Sequence, residues 1–403
     1  MQPITKITAE EILDSRGKPT VMSTVWAGDF SGSFSVPSGA STGSNEAHEL
    51  RDLDGHVLQT IRNITETITP KLLGTDASDQ AGIDAVMCSL DGTADKSHLG
   101  GNAMLAVSAA AARAAAASKG VELWQYLRTL AQIEPSRRVP YLYMNYINGG
   151  KHAKSPLSFQ EHIIVPDTES VAEAMTMATD IGNALQKIIA DRYGVEFAQS
   201  MGDEGGYVIP EHDPIVPFEV LSQASGNAGH HGKIRLATDI AASSFYENGM
   251  YRVGEELWDT AKMTIFYHDL AKRFPILSIE DPFEEHALAD FAALQKDFEL
   301  RIVGDDLTVT NTTLIEQAAE ASAIRAVIIK PNQIGTLTET FAAMHTARTH
   351  DIDCIVSHRS GETDDTFIAD LAYATGAFGL KAGALRKPER MVKYQRLLDI
   401  SVQ

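Results

Sequence analysis

Apolar and polar positions alternate with a period of two over residues 3–36, broken at a Gly-Lys-Pro step and resuming at DFSGSFSV. Alternation of that kind turns one face to a core and the other to water, so the segment predicts an antiparallel meander. The period then changes. From Gly101 to Lys119 the chain is an alanine-rich run of high helix propensity that stops at Gly120, a residue suited to a left-handed C-cap. The alanines there suit close packing of the helix against a neighbour, not a site.

Beyond a polar segment at Glu134–Arg138, short β-rich runs alternate with amphipathic helical stretches. The chain is therefore divided into residues 1–133, an N-terminal α+β domain of meander plus helices, and residues 134–403. The runs RLATD, ILSIED, RIVGDD, AVIIK, CIVSHR and FGLK each end in ionisable residues. From Asp239 through Glu280, Asp305, Lys330 and His358 to Lys381 the spacings are 41, 25, 25, 28 and 23 residues, the period of a strand, a helix and two loops. Repeated βα units with ionisable strand ends are what a β/α barrel requires, because its active site is assembled from those ends. The fold class expected is α/β, with a C-terminal TIM-like barrel. A doubly wound open sheet would gather its polar residues at one switch point, and no GxGxxG or GxxxxGKS/T pattern supports it.

Composition sharpens this picture in two ways. A formal charge of −20 disfavours nucleic acid and anionic membrane surfaces as partners, since both need a concentrated basic face. It also means that an anionic substrate would need bound divalent cations to supply positive charge. Cys88 and Cys354 stand far apart without metal-thiolate spacing, so the expected location is a reducing cytoplasm. The N-terminus carries no basic-then-apolar signal, and no run of about 18 apolar residues occurs, so neither secretion nor membrane spanning is expected.

The strand ends carry the candidate chemistry. Asp239, Glu280 and Asp305 would converge on one face of a barrel, and three hard oxygen ligands suit Mg²⁺. Each acid alone could equally cap the helix that follows it. Lys330 and Lys381 end two later strands. Beside a metal, a lysine should have a depressed pKa and act as a base, the alternative being an ion pair with the acids. His358, Arg359 and Ser360 fall together in VSHRSGET, where the Arg359 fork and the Ser360 donors read as an anion clamp. Glu161 in SFQEHIIVP and Glu204 in MGDEGGY precede the strand series. Asp203 beside Glu204 should raise its pKa and make it a general acid, and the following glycine should let backbone approach a ligand, unless the segment is only an acid-rich turn. Residues 37–43, PSGASTG, and 148–156, NGGKHAKSP, have the composition of lids, or of plain connections.

In order along nearly the whole chain, DSRGKPTV, PSGASTG, GDEGG, SIEDPF, GDDLTVTN, KPNQIGTLTET, SHRSGETDDTFIADL and the pair Glu389-Arg390 with Tyr394 resemble enolases. The resemblance implies an N-terminal capping domain on a β/α barrel, in a Mg²⁺-dependent hydro-lyase that interconverts 2-phosphoglycerate and phosphoenolpyruvate in glycolysis. It implies two ions, the first on Asp239, Glu280 and Asp305, the second aided by Ser41. Lys330 would take the C2 proton, Glu204 would protonate the departing C3 hydroxyl, and Glu161 would support that hydroxyl. Lys381 would contact the substrate carboxylate, Arg359 and Ser360 would hold the phosphate, and His152, His358 and Gln160 would line the pocket. A small phosphorylated carboxylic acid is the implied substrate, and a homodimer or larger homo-oligomer the implied assembly. A lysine or histidine base with Mg²⁺ is the established pattern of that superfamily and does not follow from these residues alone.

The chain departs from common enolases at Pro331 after the base, at Lys151, Lys154 and Pro156 in the second loop, at His162 after Glu161, and over residues 385–388 (LRKP) after Lys381. Those departures admit a relative that dehydrates a related 2-phospho or phosphonoformyl acid. A non-catalytic protein with the same fold is the third reading, against which intact Lys330 and Glu204 argue.

Overall fold

The computed structural model describes residues 2–39, 43–134 and 138–402. Three antiparallel strands open the chain: β1 (Ile4–Leu13), β2 (Pro19–Ala27) and β3 (Phe30–Ser35), in that order in the sheet. The meander read from the alternation is therefore present. One face of it packs on the helix Gly101–Lys119, and the reason for the alanines is visible at Gly32. A Cβ at Gly32 would lie 2.4 Å from Ala114 N and 2.6 Å from Ala110 O, so strand and helix backbones touch with nothing larger than a methyl between them. Gly120 ends that helix in the left-handed conformation, as a C-cap does.

The second half is a closed eight-stranded barrel. Its strands are β4 (Tyr141–Asn148), β5 (Glu161–Pro166) and β6 (Ile234–Asp239), then, after a small sheet of β7 (Tyr246–Glu247), β8 (Met250–Val253) and β9 (Glu256–Trp258), β10 (Ile276–Glu280), β11 (Arg301–Gly304), β12 (Ala326–Ile329), β13 (Asp353–Ser357) and β14 (Gly379–Lys381). All neighbours pair in parallel except β5, which runs antiparallel to both β4 and β6.

Side-chain alternation then sorts the residues into layers. Ala237, Val303, Ala326, Ile328 and Ile355 point inward and form a core inside the barrel with Tyr143, Ile163 and Val165. One period further along, Asp239, Asp305, Lys330, Ser357 and Lys381 point the same way at the strand ends and meet above that apolar plug. The alternate residues Leu236, Ile302, Val327, Cys354 and Leu380 pack outward under the helices. The polar segment at which the sequence divides includes residues 135–137, which lie outside the described residues. Among the described residues no helix is long and apolar enough to cross a membrane.

Candidate active site

The mouth of the barrel holds a small polar recess, partly open to solvent, of a size for a small ligand and not a polymer. Asp239, Glu161, Glu204, Asp305, Lys330, Lys381, His152, Gln160, His358, Arg359 and Ser360 all line it. Glu280 is buried beside it, within reach of Lys381. Of the residues singled out from sequence, only Ser41 falls outside the described residues.

Glu161 reaches the mouth by a route the strand-end rule does not cover. It is the first residue of β5, but β5 is reversed, so its start lies level with the end of β6 and Glu161 pairs with Asp239. Asp239, Glu280 and Asp305 offer oxygens that all lie within 4.8 Å of one another, and Asp281, Asp305 and Asp306 form a second such group. Asp281 and Asp306 were not singled out from sequence, because each follows a chosen acid and should face the other way. A positive φ of 42° at Asp281 turns it back, and its carboxylate accepts the backbone N–H groups of Asp305 (2.9 Å) and Asp306 (2.7 Å). Burial and the nearby Asp305 charge push the Asp306 carboxyl up to about 7.

Acids outnumber cations at this mouth. Seven carboxylates line the cavity against Lys330, Lys381 and Arg359, so an anion would meet net repulsion unless further positive charge were present. Several buried polar atoms are also without a hydrogen-bond partner: Asp239 Oδ1, Glu161 Oε2, Gln160 Oε1, His152 Nδ1 and His358 Nε2. A buried carboxylate oxygen left unpaired is costly, and a divalent cation satisfies it. The two acid triplets offer only hard oxygen donors, which fits Mg²⁺ and does not fit a thiophilic metal.

From the protein's own groups both lysines are raised: burial, the largest single influence, works against their charge, and the neighbouring groups together outweigh it, Asp305 foremost at Lys330 and Glu161, Glu280 and Asp239 at Lys381. The depression expected of them belongs to bound cations. Lys381 Nζ lies 2.9 Å from Glu280 Oε2, 3.2 Å from Glu161 Oε1 and 3.4 Å from Asp239 Oδ2, and Lys330 Nζ donates to Asp305 Oδ2. Together these ion pairs outweigh the cost of burial. Glu204 is not the raised acid expected. Burial pushes it up, but the fields of His152 and His358 and the buried Arg390 hold it well below the usual range, and Asn145 donates to its Oε2 at 2.9 Å. Asp203 is not among the groups that govern it. Glu161 is raised instead, by burial and by the nearby Glu204 charge. The glycines around Glu204 also serve a different contact: a Cβ at Gly202 or Gly206 would lie 2.6 Å from Asn148 Oδ1, which accepts the Gly206 N–H.

The residues expected to form an anion clamp lie at a junction of both domains. Arg359 Nη1 and Nη2 lie 2.8 and 3.2 Å from the two Glu46 oxygens, and Nη1 is 3.2 Å from Asn332 Oδ1. Ser360 Oγ accepts from Arg16 Nη1 at 3.2 Å, while Arg16 Nη2 holds Ser38 Oγ at 2.8 Å and Asp14 Oδ2 at 3.1 Å. Glu46, Arg16 and Asp14 escape a reading centred on strand ends, although Arg16 lies within the DSRGKPTV motif. Pro331 is accommodated as the first residue of the short helix Pro331–Ile334, where its missing N–H costs nothing.

The family model for the enolase N-terminal domain matches residues 4–127, and that for the enolase C-terminal TIM barrel domain matches residues 136–403. A protein named enolase from Methanopyrus kandleri is 45% identical over 99% of this chain and 96% of its own length. Enolases from Methanothrix thermoacetophila, at 45% over 98% of the chain and 95% of their own length, and from Methanocaldococcus jannaschii, at 42% over 98% and 94%, are similar throughout. With both domains matched and identity sustained from end to end, the chain belongs to the enolase family.

Proposed function

We propose that the chain is a phosphopyruvate hydratase, interconverting 2-phosphoglycerate and phosphoenolpyruvate with two Mg²⁺ ions, and that it divides at 133/134 into a capping domain and a catalytic barrel. The observation that carries the reading is the convergence of two carboxylate triplets sharing Asp305 with Lys330, Lys381 and the Glu161–Glu204 pair in one cavity. Asp239, Glu280 and Asp305 would hold the first ion. The second triplet, with Ser41 as the family resemblance implies, supports a second. When bound, the ions supply the positive charge that stabilises a substrate dianion and that offsets the carboxylate field now keeping both lysines protonated.

Removing a proton beside a carboxylate requires a base held at the carbon, and Lys330 is placed for this at the end of β12. It is anchored through its backbone N–H, which donates to Thr310 Oγ1 at 2.9 Å. Lys381 contacts the substrate carboxylate, and Arg359 with Ser360 holds the phosphate. The departing C3 hydroxyl takes its proton from the Glu161–Glu204 pair. The resemblance assigns that transfer to Glu204. His152 Nδ1 sits between them, 3.6 Å from one and 3.5 Å from the other, so the two carboxyls titrate as a unit. His152, His358 and Gln160 complete the wall around that pair.

The test is to add 2-phosphoglycerate and Mg²⁺ to the purified protein and follow the ultraviolet absorbance of the enol phosphate, with a chelator control. Turnover of about 1 to 10³ per second that stops with chelator is expected. A rate far below that range with 2-phosphoglycerate would overturn the assignment and leave a related phospho acid as substrate.

A further inference from the structure

A buried arginine has to place its donors on internal acceptors, because no water reaches it. Arg390, 0% exposed, lies near the start of the helix Pro388–Ser401. Its Nη1 donates to the backbone oxygen of Arg359 at 2.6 Å and meets His358 Nδ1 at 2.5 Å. Its Nη2 donates to the backbone oxygens of Ser360 at 2.7 Å and Asp203 at 3.1 Å. One side chain therefore fastens together the loop that carries Glu204 and the loop that carries the anion clamp.

The contact with His358 has a chemical consequence. A guanidinium has five N–H donors and no lone pair, so the imidazole nitrogen facing it must be an acceptor. We propose that Arg390 is a positioning residue that locks His358 as the neutral tautomer protonated on Nε2, the ring nitrogen on the Glu204 side. Nε2 lies 3.2 Å from Glu204 Oε1 and forms no well-directed hydrogen bond to it or to any other group. The doubly protonated ring is disfavoured as well. Burial lowers the His358 pKa most, Glu204 opposes, and the charges of Arg390, Lys381 and His152 all lower it further, leaving it well below the usual value. In the other tautomer a bare Nε2 lone pair would face the carboxylate and repel it. Arg390 thus sets the ring so that an N–H, and not a lone pair, lies beside the Glu204 carboxylate.

The catalytic consequence rests on Glu204 belonging to the proton-donating pair, but the tautomer does not, and it can be read with no substrate present. The full chain is labelled with ¹⁵N-histidine, and the His358 signals are identified by their loss in His358→Gln. The expected spectrum at neutral pH shows Nδ1 as a bare nitrogen and Nε2 as an N–H. A protonated Nδ1 would overturn the proposal, whatever the turnover. In Arg390→Met, folding being checked by circular dichroism, Nδ1 should take up proton density and kcat should fall on the order of 10²-fold with KM little changed. Arg390→Lys keeps one charged donor and should restore the bare Nδ1 signal in part. If a folded Arg390→Met keeps the native His358 signals, another group sets the tautomer and the proposal fails. Should the methionine variant not fold, the native spectrum and the lysine variant decide. A native tautomer as expected in a protein that does not turn over 2-phosphoglycerate would refute the activity and leave this assignment standing.

Discussion

His162 offers a quantitative test of how the wall behind Glu161 is built. It follows Glu161 on β5, so its ring points out of the barrel, where it is 0% exposed and meets Phe218 edge to face at 5.1 Å. Its Nδ1 lies 3.2 Å from Ile147 O and its Nε2 has no partner. Burial pushes the imidazole down to about 4, against which the Ile147 carbonyl works only weakly. The sign follows directly: the folded protein keeps this ring neutral, while the unfolded chain protonates it near its ordinary value of about 6.5. The unfolded state therefore binds the extra proton, and stability is complete above pH 6.5 and is lost as pH falls through 4. A displacement of about 2.5 pH units corresponds to about 3 kcal/mol in full, of which about 2 kcal/mol is lost by pH 5. His162→Phe keeps the ring contact and removes the titration. Urea denaturation of both proteins at neutral pH and at pH 5 should show the variant losing about 2 kcal/mol less on acidification, with slopes unchanged. If the gap between the two proteins is the same at both pH values, the buried neutral histidine does not govern acid sensitivity and the reasoning fails.

Other outcomes follow from the same geometry. Lys330→Ala should lower kcat on the order of 10²- to 10⁴-fold in the enol phosphate assay, and unchanged turnover would remove it as the base. Mg²⁺ at about 100 times its dissociation constant should stabilise the native chain by about 2.7 kcal/mol, read as a thermal shift, and Asp305→Asn, which strikes both carboxylate triplets, should abolish most of that shift. Tyr394→Phe removes a hydroxyl that lies 2.8 Å from Tyr143 O and 2.9 Å from Gly383 O and accepts the Ala382 N–H at 3.0 Å. That loss leaves buried backbone groups unpaired beside Lys381 and should cost about 1–3 kcal/mol, measured by the shift in urea midpoint.

Much of this molecule is local in origin, and was legible for that reason. Period-two alternation suffices for the meander, propensity and a glycine stop for the Gly101–Lys119 helix, and regular spacing of ionisable residues at strand ends for the barrel and most of its mouth. Those signals depend on where a side chain points from its own strand, which the backbone period dictates. Three features had no such local signature. The reversal of β5 brings Glu161 level with Asp239, and direction of pairing is set by partners distant in sequence. The raised Glu161 is set by burial and by Glu204, and the lowered Glu204 by His152, His358 and Arg390, groups from separate elements that act through a buried, low-dielectric space. The adjacent Asp203, the one neighbour visible in sequence, governs neither. Sequence alone thus settled most of the residue types that stand at the mouth of the barrel, with Glu46, Asp281 and Asp306 among the exceptions. Only the tertiary structure decided which of them share charge and protons, because Coulomb fields and hydrogen bonds follow distance in space and not distance along the chain.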